Sequence, residues 1–165
     1  MKVSIEDIKL LREQTAASLA DVKYALEQAE GDYEKALKVL FEKGLTSATK
    51  KMEREANQGI IYSYVHNFRI GVMIELNCET DFVARNTEFV DLAKDLAIQI
   101  VLNDPKYIDS SEVEDSKEDV KDFVLLMQPY FKDSSITIEE LIKRSIAKFG
   151  ENIKVRRFYK MSLGI

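Results

Sequence analysis

The repeat of apolar residues along this chain first changes at Gly59. Before it, apolar side chains recur at the spacing of a single helix face. After it they alternate with polar ones, which is the spacing of a strand with one buried side. A chain that switches in this way builds helices first and a sheet second. The expected class is α+β.

The helical part reads as three short helices. Ser4 stands where a cap is needed, with Ile5, Ile8 and Leu11 following on one face. Thr15-Ala16-Ala17 breaks that pattern. Ser18 caps a second helix carrying Leu19, Val22, Leu26 and Ala29, stopped by Gly31. Asp32 caps a third with Tyr33, Ala36, Leu37, Leu40 and Phe41, stopped by Gly44. These helices give a module over residues 1–45 with only a small core of its own. Residues 46–58 are polar and basic and lack proline, a linker by composition that partial helix would also suit, and residues 59–165 form the second domain.

Ile60 to His66 and Ile70 to Cys78 are β-rich runs around Asn67-Phe68-Arg69, which predicts an antiparallel hairpin. In the second run Ile70, Val72, Ile74 and Leu76 point to the core, and Gly71, Met73, Glu75 and Asn77 point away. On the outward face Met73 is expected to be joined by Tyr62 or Tyr64. A helix opens at Thr87, carries Phe89, Leu92, Ala93, Leu96, Ile100 and Val101, and ends before Pro105. Asp109 to Asp122 is an acidic stretch, read as a solvated face. Thr137 with Glu140 makes a capping box for a helix ended by Gly150, and a last strand runs from about Ile153 to Leu163. The predicted architecture is a three-stranded antiparallel sheet with helices on one face, behind the N-terminal helical module.

Several chemistries are excluded by what the chain lacks. Its 165 residues hold one cysteine, Cys78, and one histidine, His66, too few for a structural zinc site or an intramolecular disulfide. No GxxxxGK[ST] or GxGxxG stretch is present, so no nucleotide is expected to bind the chain itself. With 24 basic and 29 acidic residues the net charge is −5, which does not suit a general nucleic-acid binder. The local basic groups, Lys50, Lys51 and Arg54, and Lys154, Arg156, Arg157 and Lys160, read as solvated faces. No apolar run approaches the ~20 residues of a membrane span, and the N-terminus has no signal-peptide block. The expected location is the cytoplasm, with no membrane partner.

Function enters through resemblance. Leu11-Arg12-Glu13-Gln14-Thr15 through Asp21-Val22-Lys23-Tyr24-Ala25-Leu26 resembles the N-terminal motif of the elongation factor Ts family. Glu75-Leu76-Asn77-Cys78-Glu79-Thr80-Asp81-Phe82-Val83-Ala84-Arg85-Asn86 is similar to that family's core motif almost letter for letter. Ile146 to Ile153 with Arg156-Arg157-Phe158 is a weaker third match. Together they cover nearly the whole chain in order.

The resemblance implies a translation factor that acts as a guanine nucleotide exchange factor and performs no catalytic chemistry. Thr80, Asp81, Phe82 and Val83 would dock on the G domain of elongation factor Tu and disturb the region organising its magnesium ion, releasing GDP. The first module, similar to the ubiquitin-associated fold, would contact the same G domain through Arg12, Leu19, Ala20 and Asp21. No cofactor or metal of its own is implied. By pattern alone Phe82 reads as core rather than wedge, and Asp81 as a plain helix cap; the resemblance reverses that reading. An alternative function is a ubiquitin-associated-type adaptor tethering unrelated proteins.

The chain also departs from the family. Ala16-Ala17-Ser18-Leu19-Ala20 stands where glycines and methionines are usual, and Gln99 where many relatives place a histidine that reaches the partner. The hairpin-and-helix core occurs once, where many members carry two related copies. A homodimer giving a 2:2 complex with elongation factor Tu is the expected remedy, through the sheet face away from the helices.

Overall fold

The computed structural model describes residues 4–15, 17–113 and 120–164. By its internal packing the chain divides into two units, Met1–Glu53 with Lys143–Glu151, and Arg54–Ile142 with Asn152–Ile165.

Caps and breakers set the helices of the first unit. The Ser4 hydroxyl accepts from the Glu6 N–H at 3.1 Å and opens α1 (Ile5–Thr15). Ser18 accepts from the Asp21 N–H at 3.1 Å and opens α2 (Leu19–Gln28), which ends where Gly31 takes a φ of 83°. Asp32 accepts from the Lys35 N–H at 3.0 Å and opens α3 (Tyr33–Lys51). Leu11, Val22, Ala25, Leu26, Ala29, Ala36 and Leu40 form the buried cluster between them, with Ile8, Tyr33 and Leu37 packed against it.

Gly44 does not stop the third helix. The helix runs through it to Lys51, into the segment expected as a linker. The reason for a glycine there is close approach. A Cβ on Gly44 would come within 3.2 Å of the Ala147 Cβ, and Ala147 lies on the later turns of the helix that spans Ile138–Phe149.

The second unit is built on a three-stranded antiparallel sheet. Strands β1 (Gln58–His66) and β2 (Ile70–Cys78) form the hairpin, in register from Gln58 opposite Cys78 to His66 opposite Ile70. In the loop Asn67-Phe68-Arg69, Asn67 and Phe68 turn the chain with φ values of 48° and 57°, and the Arg69 N–H donates to the His66 carbonyl at 3.0 Å across them. The last strand, Lys154–Ser162, is β5 and pairs antiparallel with β2, giving the order β1-β2-β5. A register shift between Glu75 and Leu76 leaves Arg156 without an opposite residue on β2. That bulge puts Arg156 and Arg157 side by side in solvent, while Val155 still points inward.

Helix α4 (Asp81–Ala84) follows β2 at once and packs on both strands of the hairpin. Helix α5 (Thr87–Asn103) is capped by Asn86, lies across the same face of the sheet, and ends at Asp104 in a left-handed conformation ahead of Pro105. Val72, Ile74, Leu76, Phe89, Ala93, Leu96 and Ile100 are buried there. A short hairpin of β3 (Pro129–Tyr130) and β4 (Asp133–Thr137) comes next. Thr137 then accepts from the Glu140 N–H at 3.2 Å and opens α6 (Ile138–Phe149), which ends where Gly150 takes a φ of 76°. Part of the acidic stretch from Asp109 to Asp122, residues 114–119, lies outside the described residues.

The sheet's open face differs from expectation. Tyr62 pairs with Ile74 and Tyr64 with Val72, so both tyrosines share the helix side with those buried residues. Exposed Ile61, Val65, Met73, Tyr159 and Met161 occupy the other face instead.

Candidate functional site

Everything about the turn after β2 follows from its first residue. Thr80 is extended, with φ −125° and ψ 157°, and its hydroxyl accepts from the Val83 N–H at 3.5 Å. Thr80, rather than Asp81, is therefore the cap of α4. Asp81 sits in the first helical turn, where a carboxylate favours the helix dipole, and pairs with Arg85 at 3.1 Å. Ala84 is buried and Val83 half-buried, which fastens the turn to the sheet.

Phe82 points the other way. It is 84% exposed, so its ring is not core. An aromatic this bare, on a turn held by a cap and a buried alanine, leaves a large apolar area unspent in the isolated chain.

The root of the turn is held by side chains from distant stretches. The Glu79 carboxylate accepts the Asn152 N–H at 2.6 Å and lies 3.6 Å from the Arg54 guanidinium. Buried Asn152 donates its amide to the Arg54 carbonyl at 2.6 Å. Asn77 donates to the Ala56 carbonyl at 3.1 Å, and the Cys78 thiol donates to the Thr80 carbonyl at 3.1 Å. The sequence reading missed this cluster. Glu79 and Asn152 are 73 residues apart, and neither residue type announces the other.

In the first unit Leu19 and Ala20 are exposed on the opening turn of α2, and Arg12 is exposed on α1. Asp21 is spent internally. It takes the Lys43 ammonium and the Ser18 hydroxyl, the latter at 2.7 Å, and these donors hold its carboxyl below the ordinary aspartate range, Lys43 foremost. Tyr24, half exposed with Lys43 5.1 Å above its ring, extends the same surface and was not singled out by sequence.

Gln99 is fully buried. Its amide donates to the Pro129 carbonyl at 3.0 Å and to Gln128 at 3.3 Å, and it accepts the Phe131 N–H at 3.0 Å. It joins α5 to the β3–β4 hairpin of its own chain.

His66 and Cys78 lie at opposite ends of the hairpin, so they form no nucleophile–base pair. Two of the four basic residues of β5 are paired, Arg157 with Glu75 at 2.7 Å and Lys160 with Asp104 at 2.7 Å. Among the described residues no helix is long and apolar enough to cross a membrane.

Comparison with known proteins decides the family. A family model described as elongation factor TS matches residues 4–119 and 79–164. The elongation factor Ts of Thermodesulfovibrio yellowstonii is 43% identical over an alignment covering 99% of this chain and 98% of that protein. The chain belongs to the elongation factor Ts family. The chloroplastic elongation factor Ts of Guillardia theta is 43% identical, and that of Synechocystis 40%, each covering 99% of this chain and 90% of the relative. The first alignment runs to 194 positions, longer than this chain, so that elongation factor Ts carries residues absent here. Membership makes the chain a translation elongation factor.

Proposed function

We propose that this chain is a guanine nucleotide exchange factor that binds elongation factor Tu carrying GDP and speeds GDP release. The observation that carries the proposal is Phe82, an exposed aromatic on a capped turn, inside the stretch that resembles the family's core motif. Thr80 shapes the turn, Val83 and Ala84 fasten it, and Phe82 enters an apolar pocket of the partner's G domain with Asp81 beside it. Exposed aromatics seated in pockets are the usual anchors of an interface.

Docking there displaces the groups that organise the partner's magnesium ion. That ion neutralises phosphate charge, so its disturbance weakens the hold on GDP. By linkage, GDP weakens the factor's binding by the same ratio. The factor therefore accelerates exchange without choosing the nucleotide that wins, and it makes or breaks no covalent bond. Residues 1–45 act as a second contact on the G domain, with Arg12, Leu19 and Ala20 facing the partner and Asp21 bracing α2.

Residues 59–165 serve as core and dimerisation domain. A second copy covers the open sheet face, giving a 2:2 complex in the cytoplasm. An adaptor working through the three-helix module alone leaves Phe82 with no role. The test is release of labelled GDP from elongation factor Tu with this chain in sub-stoichiometric amounts. Fast multiple-turnover release is expected; stimulation only at stoichiometric amounts, or none, overturns the reading.

A further inference from the structure

An anchor is useful only where its root is fixed. Phe82 and Asp81 face solvent, but the residues before them face inward. Glu79 spends its carboxylate on the Asn152 N–H at 2.6 Å and on Arg54 at 3.6 Å. Asn152 returns a hydrogen bond to the Arg54 backbone at 2.6 Å, and Asn77 holds the Ala56 backbone at 3.1 Å. Three stretches, 54–56, 77–79 and 152, are thus stitched together at the residues that lead into Thr80. Arg54 and Asn152 are also the residues at which the chain twice enters this unit. Asn152 is buried and the Glu79 side chain is only 24% exposed, so the charge-assisted bond between them is shielded from water.

We propose that Glu79, through Asn152 and Arg54, is a positioning residue that presets the Thr80–Val83 turn for docking. The proposal rests on the exchange reading above. A preset turn loses less freedom on binding, and that saving appears as affinity. Glu79 itself need not touch the partner. Its effect must then pass through Phe82, and that is measurable.

The experiment follows GDP release from elongation factor Tu against factor concentration for wild type, Glu79→Ala, Glu79→Gln, Phe82→Ala and the double variant Glu79→Ala/Phe82→Ala. Glu79→Ala is expected to raise the half-saturating concentration about tenfold with the saturating rate retained. On the Phe82→Ala background the same substitution should change it less than about twofold, because the anchor being positioned is gone. Glu79→Gln keeps an oxygen for the Asn152 N–H and should recover most of the loss.

Losses that multiply in the double variant, or a Glu79→Ala protein that behaves as wild type, overturn the positioning role while exchange itself stands. A wild-type chain that fails to accelerate release overturns both readings. If Glu79→Ala melts below the assay temperature, Arg54→Ala takes its place in the cycle. It removes the exposed cation and should cost about threefold, again only when Phe82 is present; a loss that persists without Phe82 overturns the proposal.

Discussion

Phe82 shows what a single residue type leaves open. An aromatic just past a strand end fits a core or a surface equally well, and no periodicity exists in a four-residue helix to choose. In the folded chain the ring lies in solvent. Phe82→Ala should therefore shift folding stability by no more than about 0.5 kcal/mol, as for an ordinary surface change, measured by urea or thermal unfolding. A loss of about 3 kcal/mol or more would place the ring in the core after all. Asp81 and Thr80 illustrate a one-residue ambiguity. Both types cap helices, and only the extended backbone at Thr80 settles which does. Glu79 was illegible for a different reason, since its partner is distant in sequence and contributes a backbone N–H, which every residue type but proline supplies.

At the scale of elements, the sequence was most informative where local chemistry decides. Ser18, Asp32 and Thr137 cap the helices expected of them, and Asn67-Phe68 turns the hairpin. Gly44 misled because glycine has two uses, ending a helix or admitting a neighbour, and only the approach of Ala147 reveals the second. Both faces of β1 carry apolar residues, so alternation alone could not assign Tyr62 and Tyr64; pairing with Ile74 and Val72 does. The β3–β4 hairpin escaped notice because strands this short carry no period. It is held to α5 by Gln99. Gln99→Ala takes away the partner of the part-buried Phe131 N–H and Pro129 carbonyl and leaves a void where a fully buried side chain stood. Each lost hydrogen bond costs about 1 kcal/mol and the void adds to it. A loss of roughly 3 kcal/mol in urea unfolding is expected, and near-neutral stability would show that the hairpin docks by other contacts.

For the whole molecule, the α+β class and the sheet order follow from the period change and from the pairing of β2 on both edges. Family membership rests on likeness along nearly the whole sequence, since no arrangement of helices on a sheet specifies a partner. The open face of Ile61, Val65, Met73, Tyr159 and Met161 argues for a second copy, because a soluble chain seldom leaves such a patch bare. Light scattering on the order of tens of micromolar should report twice the 18.9 kDa chain mass. Met73→Glu should return the monomer; a wild-type monomer at that concentration contradicts the dimer. The central claim is exchange through the Phe82 turn. It is tested most directly by the rate of labelled GDP release from elongation factor Tu, comparing wild type with Phe82→Ala at equal sub-saturating concentrations. The account predicts rapid release with wild type and a loss of about 2 kcal/mol, near thirtyfold, with a Phe82→Ala protein that remains folded. Equal rates from the two folded proteins would contradict it.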